Sequence, residues 1–225
     1  MDAWLDYSVS DFLLFSPETY WRLFDQMNGA VWPFQFVLLA ALTGILFLCV
    51  RGYSRAGLAV GACLALCWVL MGLVFFRGYY APINWAIAYV VPFVWAQAAL
   101  LVLLAPRLTY VRAGRRNALF HLVAILALVY PVFSILDGRP LAQAEVAGVA
   151  PDPTALLTLA LVGLAQPGWH RVLLCVVPSV WLMFSALTLF TLDSSSFSAW
   201  VIPGVMAVLF VSTLWPADRA ITLSK

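Results

Sequence analysis

Charge is what this sequence has least of. Of its 225 residues only 10% are Asp, Glu, Lys or Arg, while 64% are hydrophobic. A soluble domain carries about 25% charged residues, so lipid rather than water is the expected solvent. A net charge of +2 with no basic run gives no case for nucleic acid as a partner. Histidine is almost missing: His121 and His170 lie on different segments, and catalytic zinc usually needs three N, O or S protein ligands. No metal and no cofactor is therefore expected. The motifs GxxxxGK[ST], GxSxG and HExxH are absent, which speaks against ATP-driven transport within this chain. Cysteine is sparse too. Cys49, Cys63, Cys67 and Cys175 all sit inside apolar segments, where small buried side chains are expected rather than disulfides or ligands. Cys63 and Cys67 are one helical turn apart, but no second pair supports a soft-metal or redox site. No signal peptide is expected either: Asp2, Asp6 and Asp11 stand where a basic region belongs, and no long apolar run precedes Ala30. No repeat, linker or domain boundary interrupts 1–225, which reads as a single integral-membrane domain.

What the chain does have is apolar length, with a mean hydropathy of +0.98. The 10 Trp and 8 Tyr suit aromatic belts at two membrane interfaces. A spanning helix needs about 20 apolar residues. Segments 30–50, 56–76, 83–105, 117–136, 172–192 and 197–215 meet or approach that length, and 154–169 is a shorter one. Ahead of them, 11–28 predicts an amphipathic helix, with Ser16 as N-cap, Pro17 at the first helical position and Glu18 in the first turn. It lies in the interface or packs on the mouth of the bundle. The fold class is all-α: a polytopic helix bundle of about seven membrane segments, one of them short.

Several positions inside the apolar runs stand out. Gly57 and Gly61, with Ala65 one turn on, give one helix a small-residue face. It serves packing within the chain or, as the sharper alternative, a homo-oligomer. Gln97 would be costly in lipid and is expected to point inward, in an interhelical hydrogen bond. Asn84 and Tyr89 share its segment, and Tyr89 could share its face. Pro131 should kink its helix or free a carbonyl. Pro178, Trp181, Ser185 and Thr188 recur every three or four residues, on one helix face.

The stretch from Tyr130 to His170 is the most unusual. It concentrates Asp137, Arg139, Glu145 and Asp152, then enters a short apolar helix through Pro151-Asp152-Pro153. At about 1.5 Å per residue this helix is too short to cross about 30 Å of hydrocarbon comfortably, so other helices should surround it. Two readings of the carboxylates compete. Asp152 caps the helix and complements its dipole while Glu145 is a solvated loop residue; or both line a cavity and bind a cation or proton, as carboxylates at membrane depth do. Arg139 is the ion-pair partner for either.

Positive charge sets the expected orientation. With seven crossings and an outside N-terminus, nine of the 12 Arg and Lys fall on the inside, whereas six crossings give an even split. The N-terminus is therefore expected outside, the C-terminus inside, and the loop carrying Glu145 and Asp152 on the outer side.

The run Gly138-Arg139-Pro140, Gln143-Ala144-Glu145, Gly148 and Ala150-Pro151-Asp152-Pro153-Thr154 resembles a bacterial integral-membrane family known only as a domain of unknown function. Phe15-Ser16-Pro17 with Thr19-Tyr20-Trp21-Arg22 and Trp32-Pro33 carries the same resemblance. So does Ile83-Asn84-Trp85-Ala86 with Tyr89 and Gln97. It covers nearly the whole chain and implies a bacterial inner (cytoplasmic) membrane. Some members are labelled permeases; no catalytic residue can be carried over. The leading expectation is a permease for a small solute or ion, with membrane lipids as its surroundings and a candidate polar cluster of Glu145, Asp152, Arg139, Asn84, Tyr89 and Gln97. The alternatives are a membrane-embedded enzyme acting on a lipid or isoprenoid, or a non-catalytic assembly or sensor subunit.

Overall fold

The computed structural model describes residues 15–111, 118–192 and 197–214. Outside them lie Asp2, Asp6 and Asp11, the start of the 11–28 helix, Arg112, Arg115 and Arg116, Asp193 with its serines, and Arg219 and Lys225. The described residues are mostly helical, without a strand, as the long apolar segments predict.

Helix α1 (Pro17–Val31) begins as expected: Ser16 Oγ accepts from the Thr19 N–H at 3.3 Å, with Pro17 at the first helical position. Its apolar face buries Tyr20, Trp21, Phe24 and Met27. The helix thus packs on the bundle mouth, against the residue 72–80 segment and the loop near 141–143. At Trp32-Pro33 the chain bends by 90° into α2 (Phe34–Val50). Helix α3 (Ala56–Met71) continues without a break as a π-helical turn over Gly72–Tyr80. A short 3-10 turn, Trp85–Tyr89, leads into α4 (Val91–Leu104). The segment expected over 117–136 is two helices, α5 (Ala118–Leu128) and α6 (Pro131–Leu136), parted where Pro131 cannot donate. Then come α7 (Pro151–Gly163), α8 (Trp169–Leu192) and α9 (Phe197–Leu214).

Among the described residues three helices are long and apolar enough to cross a membrane: Ala56–Tyr80, Trp85–Arg107 and Trp169–Leu192. The bent pair α1–α2 makes a fourth if it counts as one span. The other apolar segments are shorter or broken: α5 and α6 divide at Pro131, and α7 has 13 residues, or about 20 Å.

The architecture is concentric around α7. Every residue from Ala144 to Ala165 is buried. Helices α5, α8 and α3 pack around α7, which has no polar face because no face of it meets solvent. Helices α3 and α4 close the bundle at the small-residue stripe. A Cβ on Gly57 would collide with the Ala105 carbonyl oxygen, and one on Gly61 would sit 2.8 Å from that of Leu101. The glycines thus serve packing within the chain.

Proline also creates a specific crosslink. Pro178 within α8 has no N–H for the carbonyl of Leu174, four residues earlier. Gln97 Nε2, fully buried on α4, donates to that oxygen at 2.9 Å. Gln97 therefore points inward, as expected.

Candidate functional site

The loop before α7 is built by three local devices. At the end of α6 the Arg139 N–H donates to the Ser134 carbonyl at 2.7 Å and the Gly138 N–H to that of Ile135 at 3.0 Å. This is a Schellman cap, with Gly138 at φ +72° in the left-handed region that glycine tolerates. It turns the chain so that Asp137 and Arg139 meet, Nη2 to Oδ2 at 3.2 Å. Next, Ala147 to Ala150 form a tight turn around Gly148, at φ +95°. The Gly148 N–H donates to Thr154 Oγ1 at 2.8 Å, which in turn donates to the Ala150 carbonyl. A Cβ on Gly148 would press on Leu38 at 3.2 Å. Finally, Pro151 and Pro153 occupy two positions of the first turn of α7, removing two N–H groups that would otherwise need a partner.

This last device corrects the capping reading of Asp152. The helix starts earlier than Thr154. Its N-cap is Ala150, with no side-chain cap, and Asp152 lies inside the first turn. With prolines on both sides, its carboxylate reaches across to α8 instead. Oδ1 accepts from Trp181 Nε1 at 2.8 Å and Oδ2 from Ser185 Oγ at 2.6 Å. The carboxylate is fully buried. The helix dipole still favours a negative charge here, and short, paired donors of this kind hold an ionised carboxylate.

Glu145 is the opposite case. It is 2% exposed, and neither Oε1 nor Oε2 has a hydrogen-bond partner. It is not a solvated loop residue. Burial first, and the nearby Asp152 charge second, hold its carboxyl well above the ordinary 4.5, with Arg139 opposing them. The phenols of Tyr20 and Tyr130 lie within electrostatic reach of both carboxylates. The Tyr130 hydroxyl is likewise buried without a partner. Arg139 donates to Asp137 and to the Gln143 carbonyl, with its guanidinium 3.5 Å above the Trp21 ring, while its Nε has no partner. The ion pair of Arg139 is thus with Asp137 and not, as expected, with Glu145 or Asp152, although Glu145 lies within electrostatic reach of both Asp152 and Arg139.

The other expected members lie elsewhere. Gln97 belongs to the α4–α8 crosslink. Asn84 starts the 3-10 turn, accepting from the Ala86 N–H at 3.2 Å, and touches the cluster's rim through Tyr80. Tyr89 is 70% exposed and packs edge-on against Trp85. What the sequence had not assigned are Trp181, Ser185, Tyr20 and Tyr130. The shared face of Trp181 and Ser185 was legible in their spacing; their acceptor, 29 and 33 residues earlier, was not.

Two cavities adjoin the cluster. One, of about 510 Å³, lies between α1, α2 and the loop, with Asn28, Gln35, Ala144 and Val146 among its lining. Glu145 stands between the last two in the chain and does not itself line the cavity. Asn28 ties the loop down, its Nδ2 donating to the carbonyls of Ala142 and Ala144 at 2.8 Å each. The second, about 440 Å³ and wholly apolar, runs between α4 and α8 and is floored by Trp68 and Trp181. Among the described residues no group of three or more His, Cys, Asp and Glu could hold a metal ion. Chemically the cluster offers one hydrogen-bonded carboxylate and one unpartnered carboxyl, both buried, and one partly buried guanidinium.

No curated protein and no solved structure matches this chain. Residues 17–215 match the profile of a family of unknown function, DUF6064, and the chain belongs to that family.

Proposed function

We propose that the chain is a multi-pass protein of a bacterial inner membrane and a permease for a small solute or ion, with Glu145 and Asp152 as its site. The observation that carries this is the Glu145 carboxyl, buried with neither oxygen hydrogen-bonded. A bare buried carboxylate is too costly to persist. The group must hold a proton or a cation, and exchanging it requires contact with water. The 510 Å³ cavity lined by its chain neighbours Ala144 and Val146 supports such a route. Lipid surroundings are supported by apolar side chains such as Val102, Leu103, Val172, Val180 and Leu187, which stand exposed along the long helices. Each would cost free energy in water at roughly 25 cal/mol per Å² and none in hydrocarbon. The positive charge split favours an outside N-terminus and inside C-terminus, which a C-terminal reporter enzyme reads directly.

The test is ion flux. Purified protein in proteoliposomes with an internal pH dye is given an imposed membrane potential, with and without gradients of Na⁺ or K⁺. Flux is expected in the wild type and lost in Glu145→Gln, with helical content unchanged. Equal flux in wild type, Glu145→Gln and empty vesicles contradicts the proposal.

A second reading, an embedded enzyme acting on a lipid or isoprenoid, is favoured by one feature. The apolar groove between α4 and α8 ends on Trp181, the residue that holds Asp152. On that reading Val180→Trp, which fills the groove, abolishes activity; on the permease reading flux survives it.

A further inference from the structure

Three of the buried polar atoms left without partners form a complementary set. Arg139 Nε is a donor without an acceptor, and Glu145 Oε1 and Oε2 are acceptors without a donor. The two residues belong to the same short loop, and each lies in the other's field. Most buried polar groups find partners, so complementary orphans at one site point to a second arrangement in which they satisfy each other. Asp137, the present partner of Arg139, can release it without being stranded, because its Oδ1 also accepts the Phe197 N–H at 2.5 Å.

We propose that the ion exchanged at Glu145 is a proton, and that Arg139 displaces it by leaving Asp137 and pairing with the Glu145 carboxylate. This rests on the transport reading of the same site. In the first arrangement Glu145 carries the proton and is neutral, and Arg139 neutralises Asp137. In the second the Glu145 O–H bond breaks, the proton passes to water in the cavity behind the loop, and the guanidinium donates to the new carboxylate. One proton leaves, so the net charge of Glu145, Arg139 and Asp137 goes from zero to minus one; Arg139 then neutralises Glu145, and Asp137 keeps the Phe197 N–H as a donor. A metal cation suits the site less well. Hard cations take about six or more oxygen ligands, and among the described residues no group of three or more His, Cys, Asp and Glu could hold a metal ion. The groups facing Glu145 are Asp152 on α7, Arg139 and Asp137 after α6, Tyr130 between α5 and α6, and Tyr20 on α1. Among these Arg139 is the single cation, and it sits on a glycine-hinged turn.

The experiment is infrared titration of the carboxyl C=O band in the full chain, reconstituted in lipid. It reads protonation whether or not flux is found, so it fails separately from the transport reading. A buried carboxyl band that titrates in the wild type and vanishes in Glu145→Gln identifies the group. Arg139→Gln, which removes the displacing cation, is expected to shift that titration to higher pH. Asp137→Asn, which keeps the Oδ1 acceptor for Phe197 but weakens the hold on Arg139, is expected to shift it to lower pH. The second variant carries the test if the first fails to fold. A titration unmoved in the folded variants overturns the displacement by Arg139. The absence of any titrating band that depends on Glu145 overturns the proton.

Discussion

Asp152 and Glu145 lie seven residues apart and meet opposite treatment. Asp152 receives two donors from α8 at 2.8 and 2.6 Å; Glu145 receives none. Burial raises the Asp152 carboxyl to about 6, with its Ser185 and Trp181 donors opposing the rise; Glu145, without donors and beside the Asp152 charge, is held well above 4.5. Removing either donor should therefore cost stability. Trp181→Phe leaves Oδ1 unpartnered and Ser185→Ala leaves Oδ2 so, each destabilising by about 1–3 kcal/mol in chemical or thermal unfolding. Asp152→Asn should cost less than either. Its amide oxygen still accepts from Trp181, and its amide nitrogen can donate to Ser185 Oγ. An Asp152→Asn variant less stable than Trp181→Phe and Ser185→Ala would show that the charge itself, rather than the satisfied donors, holds the helices together.

At the scale of elements, the short helix α7 is stable because its neighbours supply what its own length cannot. Trp68 Nε1 donates to Thr158 Oγ1 at 3.0 Å, and Tyr110 Oη donates to the Leu161 carbonyl at 3.0 Å near its end. Around it, α3 and α4 approach through Gly61. Gly61→Ala forces backbone apart at 2.8 Å from the Leu101 carbonyl oxygen, and is expected to destabilise by about 1–3 kcal/mol. Gly44→Ala on α2, where a Cβ meets nothing within 4 Å, should be neutral or stabilise by up to about 1 kcal/mol. Thermal unfolding in detergent compares the two. Equal effects would deny the close contact. Much of this was legible in the sequence: the apolar runs, the Ser16-Pro17-Glu18 start, the Gly57–Gly61 face, the inward Gln97 and the buried face of α8. The role of Asp152 was not. Proline on both sides of an Asp reads as a helix start to be capped, but in space the same prolines remove the donors and free the carboxylate for α8. Nor could spacing show that Tyr89 faces outward, since a 3-10 turn over Trp85–Tyr89 breaks the register with Gln97.

Across the whole molecule, one buried column runs from the loop at Ala144 through α7 to Ala165, wrapped by helices with apolar outer faces. Its mouth holds the charges, under α1 and beside a cavity. Such a layout keeps the Glu145 carboxyl from water, with a cavity lined by its chain neighbours Ala144 and Val146. The most direct measurement is the stability of wild type and Glu145→Gln as a function of pH. In the unfolded chain Glu145 titrates near its ordinary 4.5, and in the fold it is raised well above that by burial and Asp152. Between these limits the folded state binds more protons than the unfolded state, so stability falls as pH rises. The wild type is expected to lose thermal stability from about pH 4.5 upward, until Glu145 ionises in the folded state. In Glu145→Gln that component of the fall should disappear. Parallel profiles for the two proteins would mean that Glu145 does not hold a proton inside the fold, and would contradict the site at its centre.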